Sequence, residues 1–124
     1  YDTDQPIAGL IQDLKLRGLL DETLVVWAGE FGRTPHGTGQ GRDHHPYGYT
    51  ALMAGGGMRT GQVIGATDRE AGYPTERPVK FQEVFATLYH CIGLDPTNTT
   101  VRDHQGRPHY LVDAGNKPIS ELVG

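Results

Sequence analysis

Two short, unbroken apolar runs constrain this chain more than any other feature. Residues 23–28 read Thr-Leu-Val-Val-Trp-Ala, and residues 49–54 read Tyr-Thr-Ala-Leu-Met-Ala. Neither alternates apolar with polar, so neither suits a strand with one face in water. Continuous apolar strands belong to sheets covered on both faces, as in parallel α/β sheets. Two amphipathic stretches flank them. In residues 4–20, Ile7, Leu10, Ile11 and Leu14 repeat at helical spacing, with Asp4 as N-cap, Pro6 in the first turn and Gly18 just past the end. In residues 79–92, Phe81, Val84, Phe85, Leu88 and Ile92 form one stripe and Gly93 closes it. The order helix, strand, loop, strand, turn, helix predicts an α/β fold with helices on the faces of a sheet.

Two strands and two helices cannot cover one another on every side. Residues 1–124 are therefore read as a single segment that packs against something more: further residues of the same domain, or another copy of the chain. A first residue of Tyr1 rather than Met points the same way. Elsewhere the pattern is weaker. Residues 58–66 read as a turn with a short strand at Val63 and Ile64, and residues 67–77 as a polar surface loop. Beyond residue 95 the chain is polar, with turn signals at 106–108 and 113–116 and a small strand at 110–112.

Composition narrows the function. With 36% hydrophobic and 21% charged residues, wholesale disorder is not expected. A net charge of −4 argues against a nucleic-acid or anionic-membrane surface, which requires clustered Lys and Arg. No apolar run approaches the ~18 residues of a membrane span. The one cysteine, Cys91, rules out an internal disulfide and reads as an inert buried thiol in a helix.

The chemistry concentrates between the two apolar runs. Residues 29–48 carry six glycines, two prolines and three histidines, too long a stretch for an ordinary connector. The first run leads directly into Gly29-Glu30-Phe31-Gly32-Arg33-Thr34, and in open α/β sheets ligands bind beyond the carboxyl ends of strands. Glu30 is an acid at such a position, and Arg33 is suited to a bidentate grip on an oxyanion. The plainer alternative is a Glu30–Arg33 ion pair across a surface turn. Further on, Gly41-Arg42-Asp43-His44-His45 places carboxylate oxygen beside imidazole nitrogen, the donor types of zinc, manganese or iron. Gly37-Thr38-Gly39-Gln40-Gly41 falls short of a dinucleotide fingerprint, because Arg42 stands where the last glycine belongs. Gly55-Gly56-Gly57 lacks the Gly-Lys-Ser/Thr of a phosphate loop and reads as a turn. Tyr47 and Tyr49 are pocket-lining or packing residues.

The segments LRGLLDETLVVWAGEFGRTP, GRDHHPYGYTALMAGGGMRTGQVIG, PVKFQEVFATLYHCIGLDP and GRPHYLVDAGNKPISELV together cover nearly the whole chain. They resemble the C-terminal portion of a bacterial sulfatase-like family, the domain-of-unknown-function family 1501, within the alkaline phosphatase superfamily. The resemblance implies the C-terminal part of a three-layer α/β/α sandwich with metal ligands at strand ends. In that superfamily one strand ends in Asp-His, which supplies two ligands, and a later loop supplies another His. Glu30 falls where the Asp would be and His44 near the later His, while Phe31 replaces the expected His with a ring that supplies no ligand. The nucleophile of the superfamily lies in an N-terminal half that this chain lacks.

The expected function follows. The segment belongs to a metal-dependent hydrolase of sulfate or phosphate esters and is inactive alone for want of the nucleophile. Glu30, Asp43 and His44 are the candidate ligands of a divalent ion, with zinc, calcium, magnesium and manganese not distinguished. Arg33 is the candidate catalytic residue that steadies the anionic group of a small-molecule or glycan ester. The resemblance also implies an exported protein. The alternative is a non-catalytic binding or structural relative that kept the fold, completed by self-association.

Overall fold

The computed structural model describes residues 2–37 and 39–123. Thr38, inside the glycine-rich Gly37–Gly41 motif, lies outside the described residues, as does Tyr1. The chain is mixed α/β, with helix α1 (Asp4–Leu16), strands β1 (Leu24–Trp27), β2 (Gly32–Arg33), β3 (His44–His45), β4 (Leu52–Gly55), β5 (Ala66–Thr67) and β6 (Pro74–Glu76), helix α2 (Phe81–Cys91), and strands β7 (Thr100–Arg102) and β8 (Pro108–Tyr110). The strands form two-stranded pairs: β1 with β4, and the antiparallel pairs β2–β3, β5–β6 and β7–β8. The chain divides into two compact units. One comprises Tyr1–Val25, Ala54–Gly61 and Lys80–Gly124, and the other Val26–Met53 and Gln62–Val79.

Both helices end as their glycines predict. Gly18 takes φ +69°, its N–H donates to the Lys15 carbonyl, and the Leu19 N–H reaches back to the Leu14 carbonyl at 2.9 Å. Gly93 repeats the arrangement at φ +83°, with Leu94 N–H on the Tyr89 carbonyl at 2.9 Å. This pair of bonds satisfies carbonyls that a helix end would otherwise leave open, and the left-handed residue it requires favours glycine. The starts differ from expectation. Thr3 rather than Asp4 is the N-cap of α1, and Asp4 opens the first turn, where its charge complements the helix dipole. The Glu83 carboxylate accepts the Lys80 N–H at 2.9 Å at the start of α2.

The core of the first unit consists of Met58, Ala86, Val112, Ile119 and Leu122. It turns α2 away from its predicted orientation. The stripe of Phe81, Val84, Phe85, Leu88 and Ile92 is not the buried face: Phe81, Phe85 and Ile92 are 55%, 48% and 63% exposed. The buried face is Ala86 and Thr87, whose small side chains admit the C-terminal segment at close range. The Thr87 hydroxyl donates to the Glu83 carbonyl at 2.7 Å and accepts the Ile119 N–H at 2.9 Å. Gln82 and Asp113 clasp each other twice, amide to carboxylate at 3.0 Å and backbone N–H to amide oxygen at 3.1 Å. The Arg59 N–H donates to the Leu122 carbonyl at 2.9 Å.

The two apolar runs form β1 and β4, as read, but neither is covered on both faces. Val26, Trp27 and Leu52 are exposed, and α1 buries no residue fully. Residues 62–65 form no strand. The pairing lies instead in β5 and β6, of which Thr67 and all of β6 fall in the stretch read as a loop. The small strand expected at 110–112 begins earlier, as β8, and pairs with β7 around a turn closed by the Gly106 N–H on the Asp103 carbonyl at 2.9 Å.

Thr87→Val keeps the shape of the residue and removes the acceptor of the buried Ile119 N–H. It should destabilise the chain by about 1–3 kcal/mol in urea unfolding, with Thr87→Ser closer to the parent. Thr87→Val at parental stability would show that water or a rearranged carbonyl takes over that N–H.

Candidate functional site

The candidate residues lie in the second unit, on the β2–β3 hairpin. Gly32 stands opposite His45 and Arg33 opposite His44. A Cβ on Gly32 would sit 2.1 Å from the Gly48 carbonyl oxygen, so the chain can close here only around a residue without a side chain. Outside the ladder, the Thr34 N–H donates to the Asp43 carbonyl at 2.9 Å, and the Asp43 N–H donates to Thr34 Oγ1 at 3.1 Å. Arg42 crosses over the hairpin. Its Nε donates to the Thr34 carbonyl at 2.6 Å and its Nη2 to the Arg33 carbonyl at 3.2 Å.

Successive strand residues point to opposite faces, which separates the two adjacent histidines. His45 is buried, its Nε2 on the Gly72 carbonyl at 2.5 Å, with Tyr47 and Tyr73 edge-on at 5.1 and 5.8 Å. The loop that presents Gly72 is tied by the Asp68 carboxylate, which accepts the N–H of Gly72 at 2.6 Å and of Tyr73 at 3.0 Å. His45 is thus a structural residue with its polar edge satisfied. His44 is exposed and lies against the Phe31 ring, with centroids 4.2 Å apart.

On this exposed side Glu30, Phe31, Arg33 and His44 converge. The Arg33 guanidinium carbon lies 5.3 Å from the Phe31 centroid, a cation–π distance. Its Nη1 donates to the Gly32 carbonyl at 3.1 Å, and its Nη2 lies 3.6 Å from Glu30 Oε1. The last contact is an ion pair rather than a hydrogen bond. The Glu30 and Arg33 side chains are 66% and 44% exposed, so solvent screens the pair and it adds little to stability. The Glu30 carboxyl is held below its ordinary value, first by its own backbone N–H and then by the Arg33 charge, with a smaller contribution from His44. Tyr49, read only as a packing or pocket residue, belongs to the same surroundings. Burial and then the Glu30 charge push its phenol up, so it remains a protonated donor.

Asp43 enters through its backbone, in the bonds with Thr34 described above. Among the described residues no group of three or more His, Cys, Asp or Glu is arranged to hold a metal ion. Glu30 and His44 lie near enough for the imidazole to bear on the carboxylate, and Asp43 is next to His44 in sequence. What the cluster can do unaided is present a guanidinium, backed by an aromatic face and flanked by an imidazole, to a small oxyanion. The arrangement of Arg42 was the feature least visible in the sequence. An arginine eight residues from Thr34 carries no periodic signal. An open recess of about 470 Å³ in the first unit, lined by His90, Leu94, Asp95, Pro96 and Pro118 among others, includes none of these residues.

Arg33→Ala should raise the Glu30 pKa toward 4.5, because it removes a charge that favours the carboxylate. Carboxyl carbon NMR across an acid titration reads the shift directly. A Glu30 pKa unmoved by the substitution would mean that the ion pair is not held in solution. Gly32→Ala should dissolve the hairpin locally, seen as loss of the Phe31–His44 ring-current shifts.

No curated protein and no solved structure matches the chain. A family model described as a protein of unknown function (DUF1501) matches residues 1–123. The chain belongs to that family, DUF1501.

Proposed function

We propose that this chain is the C-terminal part of a sulfatase-like hydrolase domain acting on sulfate or phosphate esters, to which it contributes an anion-binding surface. The observation that carries this reading is the convergence of Glu30, Arg33 and His44 around Phe31 on one side of the hairpin. The resemblance to the alkaline phosphatase superfamily adds the expected α/β/α sandwich and an exported location. The exposed apolar residues of α1, β1 and α2 support a larger sheet supplied by further residues of the same domain or by a second copy.

Within this reading Arg33 takes the anionic group of a small-molecule or glycan ester in place of Glu30. Its contact with Glu30 is long and exposed, so exchanging one oxyanion for another disturbs little. Phe31 limits where the guanidinium can lie, and the Tyr49 phenol is a donor beside the site. A divalent ion would polarise the ester and activate the nucleophile. Glu30 and His44, with Asp43 nearby in sequence, would furnish part of its shell. The resemblance implies that the nucleophile and the remaining ligands lie in an upstream half of the same domain.

A second reading, a relative that kept the fold without the chemistry, is favoured by one observation. His44 packs on a phenyl ring at the position where the superfamily places a ligand. The two readings separate on a protein extended upstream to the start of its open reading frame. Metal analysis and an aryl sulfate and aryl phosphate panel should find a bound divalent ion and turnover. Arg33→Ala should raise KM about tenfold or more, while residues 1–124 alone should show no turnover. No bound metal and no turnover overturn the hydrolase reading. Glu30→Ala that alters local stability alone supports the second.

A further inference from the structure

We infer that Arg42 is a positioning residue that fixes the direction of the Arg33 guanidinium, through the peptide plane that joins Arg33 to Thr34. The inference rests on the reading of Arg33 as the anion-binding group. The direction in which a side chain leaves the backbone follows from the peptide planes on either side of its Cα. The Arg33–Thr34 plane is held at both edges. Its carbonyl oxygen, that of Arg33, accepts from Arg42 Nη2 at 3.2 Å. Its N–H, that of Thr34, donates to the Asp43 carbonyl at 2.9 Å. The next plane is held as well, by Arg42 Nε on the Thr34 carbonyl at 2.6 Å.

One guanidinium thus spans two successive carbonyls, eight and nine positions away, in the fixed plane of the arginine fork, whereas the three donors of a lysine ammonium turn freely on a flexible stem and set no such plane. The consequence falls on Arg33 because β2 ends there. Beyond Arg33 the chain leaves the ladder, and without Arg42 the Thr34 peptide would keep its Asp43 partners alone. Thr34 Oγ1 is committed to the same corner, donating to the His36 carbonyl at 3.0 Å while it accepts the Asp43 N–H. With the plane fixed, the Arg33 Cα–Cβ bond leaves the corner in one direction, from which the guanidinium reaches the Phe31 face at 5.3 Å and the Gly32 carbonyl at 3.1 Å.

The test uses NMR on the chain, with inorganic sulfate as the probe. In the parent, the Arg33 Hδ and Hε resonances should be shifted upfield by the Phe31 ring, and Phe31→Leu should abolish that shift. Arg42→Lys should keep the Gly32–His45 pairing, read from its amide shifts, yet lose the ring-current shift of Arg33 and weaken sulfate binding about tenfold. An Arg42→Lys protein that retains the Arg33 shift overturns the inference, whatever its sulfate affinity. So does one that loses the whole hairpin, since Arg42 would then be a fastener of the fold rather than of Arg33. A parent that shows no response to sulfate defeats the anion-binding reading instead, and loss of the Arg33 shift in Arg42→Lys then still supports the positioning role.

Discussion

The second unit depends on one close approach, that of Gly32 to the Gly48 carbonyl. A side chain at position 32 would stand 2.1 Å from that oxygen. Because none is there, two residues of β2 can pair with two of β3, and every feature of the candidate site follows from that register. Arg33 falls opposite His44. His45 turns to the other face and is buried. Phe31, one residue before the ladder, comes to lie against both the guanidinium and the imidazole. A slip of one residue would exchange the two histidines, exposing the structural one and burying the other. The Arg42 bridge and the Thr34–Asp43 bonds extend the pairing by one step on polar contacts alone.

The two units are held together internally by different physics. The first has an apolar core, small but continuous, in which Ala86 and Thr87 let the C-terminal segment close against α2. The second has His45 and Gly72 as buried residues and relies on carboxylate-tied turns, aromatic edges and glycine corners. Such a unit carries little hydrophobic driving force of its own. Its tyrosines Tyr47 and Tyr73, with Val26 and Trp27, leave large apolar side chains exposed.

Local chemistry was legible in the sequence where it acts through near neighbours. Gly18 and Gly93 closed their helices because a left-handed residue past the last turn is a property of a few adjacent positions. The convergence of Glu30, Arg33 and His44 was also accessible, since a strand end, a glycine-rich return and a second strand leave few places for them to go. What could not be read was which face of α2 is buried. The periodic stripe of large apolar residues marks a face that seeks cover, and in this chain the cover falls on Ala86 and Thr87. Likewise β5 and β6 are held by a Gly65 corner and a bulge rather than by apolar alternation, so their residues read as loop. Asp43 was grouped with His44 by adjacency, but its backbone is what the hairpin uses.

Phe31 bears most directly on what the site is for. A histidine in its place would offer a nitrogen donor beside Glu30. A phenyl ring offers instead a polarised face, which attracts the Arg33 guanidinium, and an apolar surface, on which His44 rests. Both interactions order cationic or cation-capable groups without neutralising them, whereas a carboxylate in the same position would have spent their charge. Glu30 is kept at ion-pair distance and in solvent. Phe31 therefore suits the hairpin to holding positive charge in fixed directions. In the proposed hydrolase reading, such a surface would hold the anionic group of the ester, with Glu30 and His44 beside it.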